Sequence, residues 1–248
     1  MGDAVWSMYD YNRGCCDNIC YSGVADIFRL PKFSLSFFRT QIAEGSMLPS
    51  GKMPYEVFIP AYRDEILSDT VMVYGNVDEV ELVLNGKTIR RQTADKGPDS
   101  DYIPVPNGGN GKNLHFPPFT FYGVSKERGV LKAVGYHQGK KVAEYTVKTP
   151  GVPERLDITY FESGKPATKN DLLIVYVRML DKQGVLCPVN GIPVELSVQG
   201  GEIVGPTSYP LEAGVASFLV RTGEISKINI NATGKGFSTR KSLKVGKE

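Results

Sequence analysis

Residues 46–150 carry a hydrophobic period of two. Val80, Leu82 and Leu84 alternate with Glu79, Glu81 and Val83, which sends one set to a buried face and the other toward solvent. Asn85-Gly86 follows at once. That pair predicts a tight hairpin into Lys87-Thr88-Ile89, because both central positions of such a turn need a positive φ. A second hairpin is expected from Val130 to Tyr136, turning at His137-Gln138-Gly139 and returning through Val142 to Val147. Between the two, residues 95–115 hold Pro98, Pro104, Pro106, Gly108, Gly109 and Gly111 and read as loop. A loop of this length inside a compact domain is uncommon and invites a functional reading.

Lys148-Thr149-Pro150-Gly151-Val152-Pro153 reads as a linker or tight junction. Beyond it, short apolar runs recur at regular spacing: Leu156–Phe161, Leu172–Leu180, Ile192–Val198, Val215–Arg221, Ile228–Ala232 and Ser238–Val245. Turns are placed at Asp181–Gly184 and Asn190-Gly191. Two stretches of this kind predict two immunoglobulin-like β-sandwiches, 46–151 and 152–248.

Residues 1–45 have a different texture. Ala4-Val5-Trp6-Ser7-Met8-Tyr9 suits a buried strand, and Asp10-Tyr11-Asn12-Arg13-Gly14 is rich in turn formers. From Val24 to Ile42 the spacing becomes helical, with Ile27, Leu30, Phe33, Phe37 and Phe38 able to share a face. Pro31 forbids one straight helix from Val24 onward. A short helical turn before Pro31 is expected, with Pro31 near the first turn of the main helix. One strand, one loop and one helix cannot bury their own faces and need a larger body to pack against.

Composition narrows the function classes. The 248 residues are 41% hydrophobic and 23% charged, an ordinary globular balance. With 29 basic against 27 acidic residues the net charge is +2, so no overall field draws the chain to nucleic acid or to an anionic membrane. Lys235, Arg240, Lys241 and Lys244 read as a solvated strand face. No apolar run approaches a membrane span of about 20 residues. The first residues lack the basic and apolar regions of a secretory signal, so the chain reads as soluble. Cys15, Cys16 and Cys20 crowd together and Cys187 stands apart. This spacing does not fit a zinc site, and free thiols are expected. No metal or cofactor is implied.

The search for chemistry mostly returns solvated residues. Asp64-Glu65 and Asp78, Glu79 and Glu81 look like strand ends and faces, and His115 and His137 lie in a loop and a turn. Gly108-Gly109-Asn110-Gly111-Lys112 lacks the spacing of a phosphate loop and a following helix. Trp6 and the loop Asp10–Arg13 remain. A tryptophan ending a buried strand either fills a core or offers a rigid apolar platform to a sugar ring.

The run Gly2 to Gly14, with Trp6, Asp10, Asn12 and Arg13 in it, then Gly23 to Lys32 and Phe37-Phe38-Arg39-Thr40-Gln41, resembles the last strand and helix of the catalytic barrel of glycoside hydrolase family 2 β-galactosidases. Val71 to Lys87, Pro117-Pro118-Phe119, Gly129 to Tyr136 and Thr149-Pro150-Gly151 resemble the sandwich that follows this barrel. Gly200-Gly201-Glu202-Ile203 and Gly214 to Phe218 resemble bacterial immunoglobulin-like modules.

The resemblance implies a mainly β chain: two immunoglobulin-like sandwiches preceded by a short α/β remnant of a (β/α)8 barrel at 1–45. It implies the non-catalytic C-terminal part of a β-galactosidase-like enzyme, inactive alone, because the family's two catalytic glutamates belong to strands upstream. It places Trp6, Asp10, Asn12 and Arg13 among the substrate-binding residues of the intact enzyme, on the face where barrels hold their chemistry. The implied partner is a galactoside-type carbohydrate, with no nucleic acid and no membrane. Parent enzymes are expected to be periplasmic or exported, with any export signal on an upstream part. The alternative is a carbohydrate-binding or structural interface module, with Tyr102, His115 and Phe116 in the 95–115 loop as its binding edge. The apolar face of residues 1–42 is expected to pack on the first sandwich, to pair with another chain as a homo-oligomer, or to stay loosely ordered.

Overall fold

The computed structural model describes residues 7–12, 19–61, 68–95, 114–161, 165–224 and 226–246. The chain forms two compact units, Met1–Thr149 and Pro150–Glu248. Trp6, Arg13, Cys15, Cys16, Asp64, Glu65 and Tyr102, and with Tyr102 most of the 95–115 loop, lie outside the described residues.

The first unit begins with short elements: β1 (Tyr11–Asn12), β2 (Ile19–Cys20), α1 (Phe33–Thr40), β3 (Met47–Leu48), β4 (Gly51–Lys52) and β5 (Val57–Phe58). The sandwich strands follow as β6 (Val71–Gly75), β7 (Glu79–Leu84), β8 (Lys87–Thr93), β9 (Phe119–Phe121), β10 (Val130–His137) and β11 (Lys140–Lys148). A three-stranded sheet in the order β5-β6-β9 faces a four-stranded sheet in the order β11-β10-β7-β8. Strict alternation in β7 buries Val80, Leu82 and Leu84 against Val73, Phe119, Phe121 and Leu131. Both predicted hairpins form, with Asn85 and Gly86 at φ 51° and 80° and Gln138 and Gly139 at 48° and 75°. Side chains stitch the open edge between β8 and β9. Gln92 Nε2 donates to the Thr120 carbonyl at 2.9 Å, and Thr120 Oγ1 donates to Asp95 at 2.6 Å.

The helix differs from its sequence expectation. It starts at Phe33, with Lys32 extended at its N-cap. No helical turn precedes Pro31. Asp26 Oδ1 accepts the N–H groups of Phe28 and Leu30, both at 2.8 Å, and folds 26–30 into a tight turn with Arg29 at φ 67°. Pro31 sits in a bridge with Ala25 rather than in the helix. Side-chain capture of the backbone by aspartate competes with helix formation and wins here.

The second unit contains β12 (Arg155–Tyr160), β13 (Leu172–Leu180), β14 (Pro193–Gln199), β15 (Gly201–Ile203), β16 (Ser208–Pro210), β17 (Val215–Thr222), β18 (Lys227–Gly234) and β19 (Phe237–Lys244). Sheets in the orders β12-β13-β17-β15 and β16-β14-β18-β19 enclose a core of Ile158, Val175, Met179, Leu196, Phe218, Ile228 and Ile230, among others. Arg240 and Lys244 lie on the exposed face of β19. Cys187 is a free thiol, and burial pushes it up.

Two buried polar residues fasten these units internally. In the first, Asn76 donates from Nδ2 to the carbonyls of Ile42 and Pro54, both at 3.0 Å, and accepts the Glu56 N–H at 2.6 Å. Replacing Asn76 by alanine strands all three backbone groups. A loss of about 2–3 kcal/mol is expected in urea unfolding, and a change within experimental error would show that water replaces the amide. In the second unit, Asp181 accepts the N–H of Gly151, Gln183 and Val185, each at 2.8 Å. Burial alone would raise this carboxyl, but the backbone donors outweigh it and hold the group below its ordinary value. A depressed native pKa contributes stability above the unfolded value of about 4, and that stability disappears as pH falls through the native pKa. Asp181→Asn is therefore expected to lower second-unit stability at pH 7 and to flatten its acid limb in pH-dependent unfolding followed by circular dichroism. An unchanged acid limb would contradict this.

Candidate functional site

The N-terminal strand–loop–helix segment holds the described part of the candidate site. Residues 7–10 run parallel to 22–25. Val24 N–H donates to the Ser7 carbonyl at 3.1 Å, Ala25 N–H to Met8 at 3.1 Å, and Asp10 N–H to Ala25 at 3.0 Å. The approach is so close that a Cβ on Gly23 would lie 2.2 Å from the Asp10 nitrogen, so only glycine fits there.

Asp10 is buried. Its Oδ1 accepts the Gly23 N–H at 2.9 Å and the Lys32 ammonium at 2.6 Å. Lys32 also donates to the Tyr21 carbonyl at 3.0 Å. This arrangement satisfies a buried charge that would be costly alone. Asn12 is exposed and pairs with Ile19 in the β1–β2 ladder. Asp10 and Asn12 thus stand on neighbouring parts of one small substructure, while Trp6 and Arg13 fall outside the described residues. The sequence singled out Asp10 but not its partners Gly23 and Lys32.

Around this core, Arg29 stacks over the Tyr9 ring at 4.4 Å. Met8 and Tyr21 are 62% and 73% exposed, and Ile27, Phe28 and Phe38 are also exposed. The helix seats its other aromatics on the sandwich. Phe33 meets Phe58 at 5.6 Å and Phe37 meets Tyr74 at 5.0 Å, both edge-on. Phe33 and Phe37 are four residues apart and share a helix face. Arg39 forms a two-pronged pair with Glu56, and that hydrogen bond raises the Arg39 guanidinium above its ordinary value. Past the helix end, the Gln41 side-chain amide donates to the Phe116 carbonyl at 3.0 Å and accepts its N–H at 3.1 Å.

Of the other ionisable candidates, Asp78, Glu81 and His137 serve local structure. His137 stacks on Tyr55 and meets Asp78 at 3.1 Å. The Gln138 N–H, burial acting against it, holds the Asp78 carboxyl below its ordinary value. Glu81 accepts hydrogen bonds from Thr88 and Tyr136. Among the described residues, no group of three or more His, Cys, Asp or Glu is placed to hold a metal, and no helix is long and apolar enough to cross a membrane.

Comparison with known proteins places this arrangement. Residues 68–143 match a family model described as a domain of unknown function, DUF4982. The chain is 32% identical to a β-galactosidase of Thermoanaerobacter pseudethanolicus over 89% of its own length, but spans only 30% of that protein. It is 30% identical to a β-galactosidase sequence of Rhizobium radiobacter, covering 51% of this chain and 92% of that one. A solved β-glucuronidase of glycoside hydrolase family 2 shares the fold with a TM-score of 0.72 at 21% identity, over 92% of this chain and 23% of the other. The chain belongs to glycoside hydrolase family 2, as a non-catalytic portion that aligns with the C-terminal part of these glycosidases.

Proposed function

We propose that this chain completes and supports the catalytic barrel of a β-galactosidase-like enzyme that hydrolyses O-glycosidic bonds, and that it does not itself turn over substrate. Residues 1–45 supply the last strand and helix of the barrel, 46–151 form the sandwich that follows it, and 152–248 form the terminal sandwich.

The observation that carries this reading is the state of the strand–loop–helix segment. Its backbone pairs in parallel and its helix is seated on the sandwich by Phe33 and Phe37, yet Met8, Tyr21, Ile27, Phe28 and Phe38 remain exposed. Single exposed apolar side chains occur elsewhere, at Met47 and Val152 for example, but their frequency in this one segment suits a surface made to be covered. Neighbouring barrel units would cover it.

Helix polarity supports the placement of the candidate residues. In a barrel, the loop joining a strand to its helix lies on the face that holds the chemistry. Asp10 and Asn12 belong to that loop, as does Arg13 by its order in the chain, and Trp6 belongs to the strand that leads into it, so all four then stand on the galactoside side. Gln41 lies at the opposite end of α1, about 12 Å along its axis. Phe116, held by Gln41, therefore belongs with the face away from the chemistry. That argues against His115 and Phe116 as contacts for the scissile sugar.

Two experiments test the proposal. Genomic DNA upstream of the Met1 codon is expected to encode, in frame, a barrel bearing two catalytic glutamates. The purified chain is expected to hydrolyse a chromogenic β-galactoside no faster than buffer; turnover rising in proportion to protein concentration would overturn the reading.

A further inference from the structure

The β1–β2 pair consists of two residue pairs, Tyr11 with Cys20 and Asn12 with Ile19. A ladder this short does not hold itself together in water. Its base is closed by the backbone pairing of 7–10 with 22–25 and by the buried carboxylate of Asp10, shared between the Gly23 N–H and the Lys32 ammonium. Lys32 also grips the carbonyl of Tyr21, the residue next to β2, so one ammonium binds both ends of the hairpin. The Asp10 side chain is only 3% exposed, and without Lys32 it would be left as a desolvated, unpaired charge.

Lys32 is also the residue from which α1 springs, and its N–H donates to the Val24 carbonyl at 3.0 Å. The helix is fixed in turn by Phe33 on Phe58, Phe37 on Tyr74 and Arg39 on Glu56. An unbroken run of contacts thus leads from the sandwich through α1 and Lys32 to Asp10 and the hairpin that carries Asn12.

The geometry points to Asp10 and Lys32 as a positioning pair: together they hold the Asn12 hairpin in place, and the first sandwich sets that place through α1. Asp10 acts on the hairpin, not on sugar. The inference rests on the reading that this hairpin belongs to the substrate side of a barrel, and it assigns Lys32 a part that its sequence position did not suggest.

The test is backbone 15N relaxation on the full chain without sugar, comparing wild type with Lys32→Met, Asp10→Asn and Lys32→Arg. Wild-type order parameters at Asn12 and Ile19 are expected near those of β7, about 0.85. Lys32→Met and Asp10→Asn should drop them below about 0.6 with β7 and β10 unchanged, and Lys32→Arg should restore them. Unchanged values at Asn12 and Ile19 in Lys32→Met would overturn the proposal. So would loosening that spreads equally to β7 and β10, or failure of arginine to restore order. These readouts do not depend on catalysis. If the hairpin loosens as expected but the chain alone hydrolyses galactoside, the functional reading fails while the positioning pair stands.

Discussion

Three backbone groups from two stretches of chain meet at one side-chain amide. Asn76 lies buried in the turn between β6 and β7, where it binds the carbonyl just beyond α1, the carbonyl of Pro54 and the N–H of Glu56. Asn76 itself is buried, and losing its amide would break three hydrogen bonds at a half-buried joint, which is costly. From the first turn of the sandwich, one residue therefore satisfies the chain where it leaves the helix and where it approaches the sandwich. The Arg39–Glu56 pair and the two edge-on aromatic contacts add to this joint, but they need Glu56 and the helix to be already in register. The amide supplies that register.

The joint makes the strand–loop–helix segment a continuation of the first sandwich. An isolated unit of this kind has too little apolar surface to bury to offset its ordering entropy. Seated on Phe58 and Tyr74, its helix half-buries one aromatic face and leaves Met8, Tyr21, Ile27, Phe28 and Phe38 exposed. Of the three states expected for residues 1–42, the described part takes the first, packing on the sandwich. The direction of α1 then sorts the surroundings: the Asp10 cluster gathers at its start and the Gln41 clamp on Phe116 at its end.

The strands that alternate were legible because each has one wet and one dry face. Val80, Leu82 and Leu84 show this, and so do the longer strands of the second unit apart from β13, which also buries Tyr176 and Leu180 on its second face. Phe119–Phe121 is buried at every position and leaves no alternation to read. Strands β15 and β16 are three residues long and flanked by glycine and proline. The spacing of Ile27, Leu30 and Phe33 suggested a helix, but the Asp26 carboxylate claimed the backbone first. In the candidate site, Asp10 stood out as a polar residue after a buried strand. Its partners lie 13 and 22 positions away, and no local pattern reports a pairing at that distance. No local pattern marked Asn76 for the same reason.

If the joint at Asn76 governs the fold of the first unit, α1 must open only when the sandwich does. Native-state hydrogen exchange along a denaturant series measures this directly, amide by amide. The account predicts that the slowest α1 amides merge with those of β6, β7 and β10 into one opening free energy. Amides of α1 that exchange through a separate, low-energy opening while the sandwich strands stay protected would contradict it.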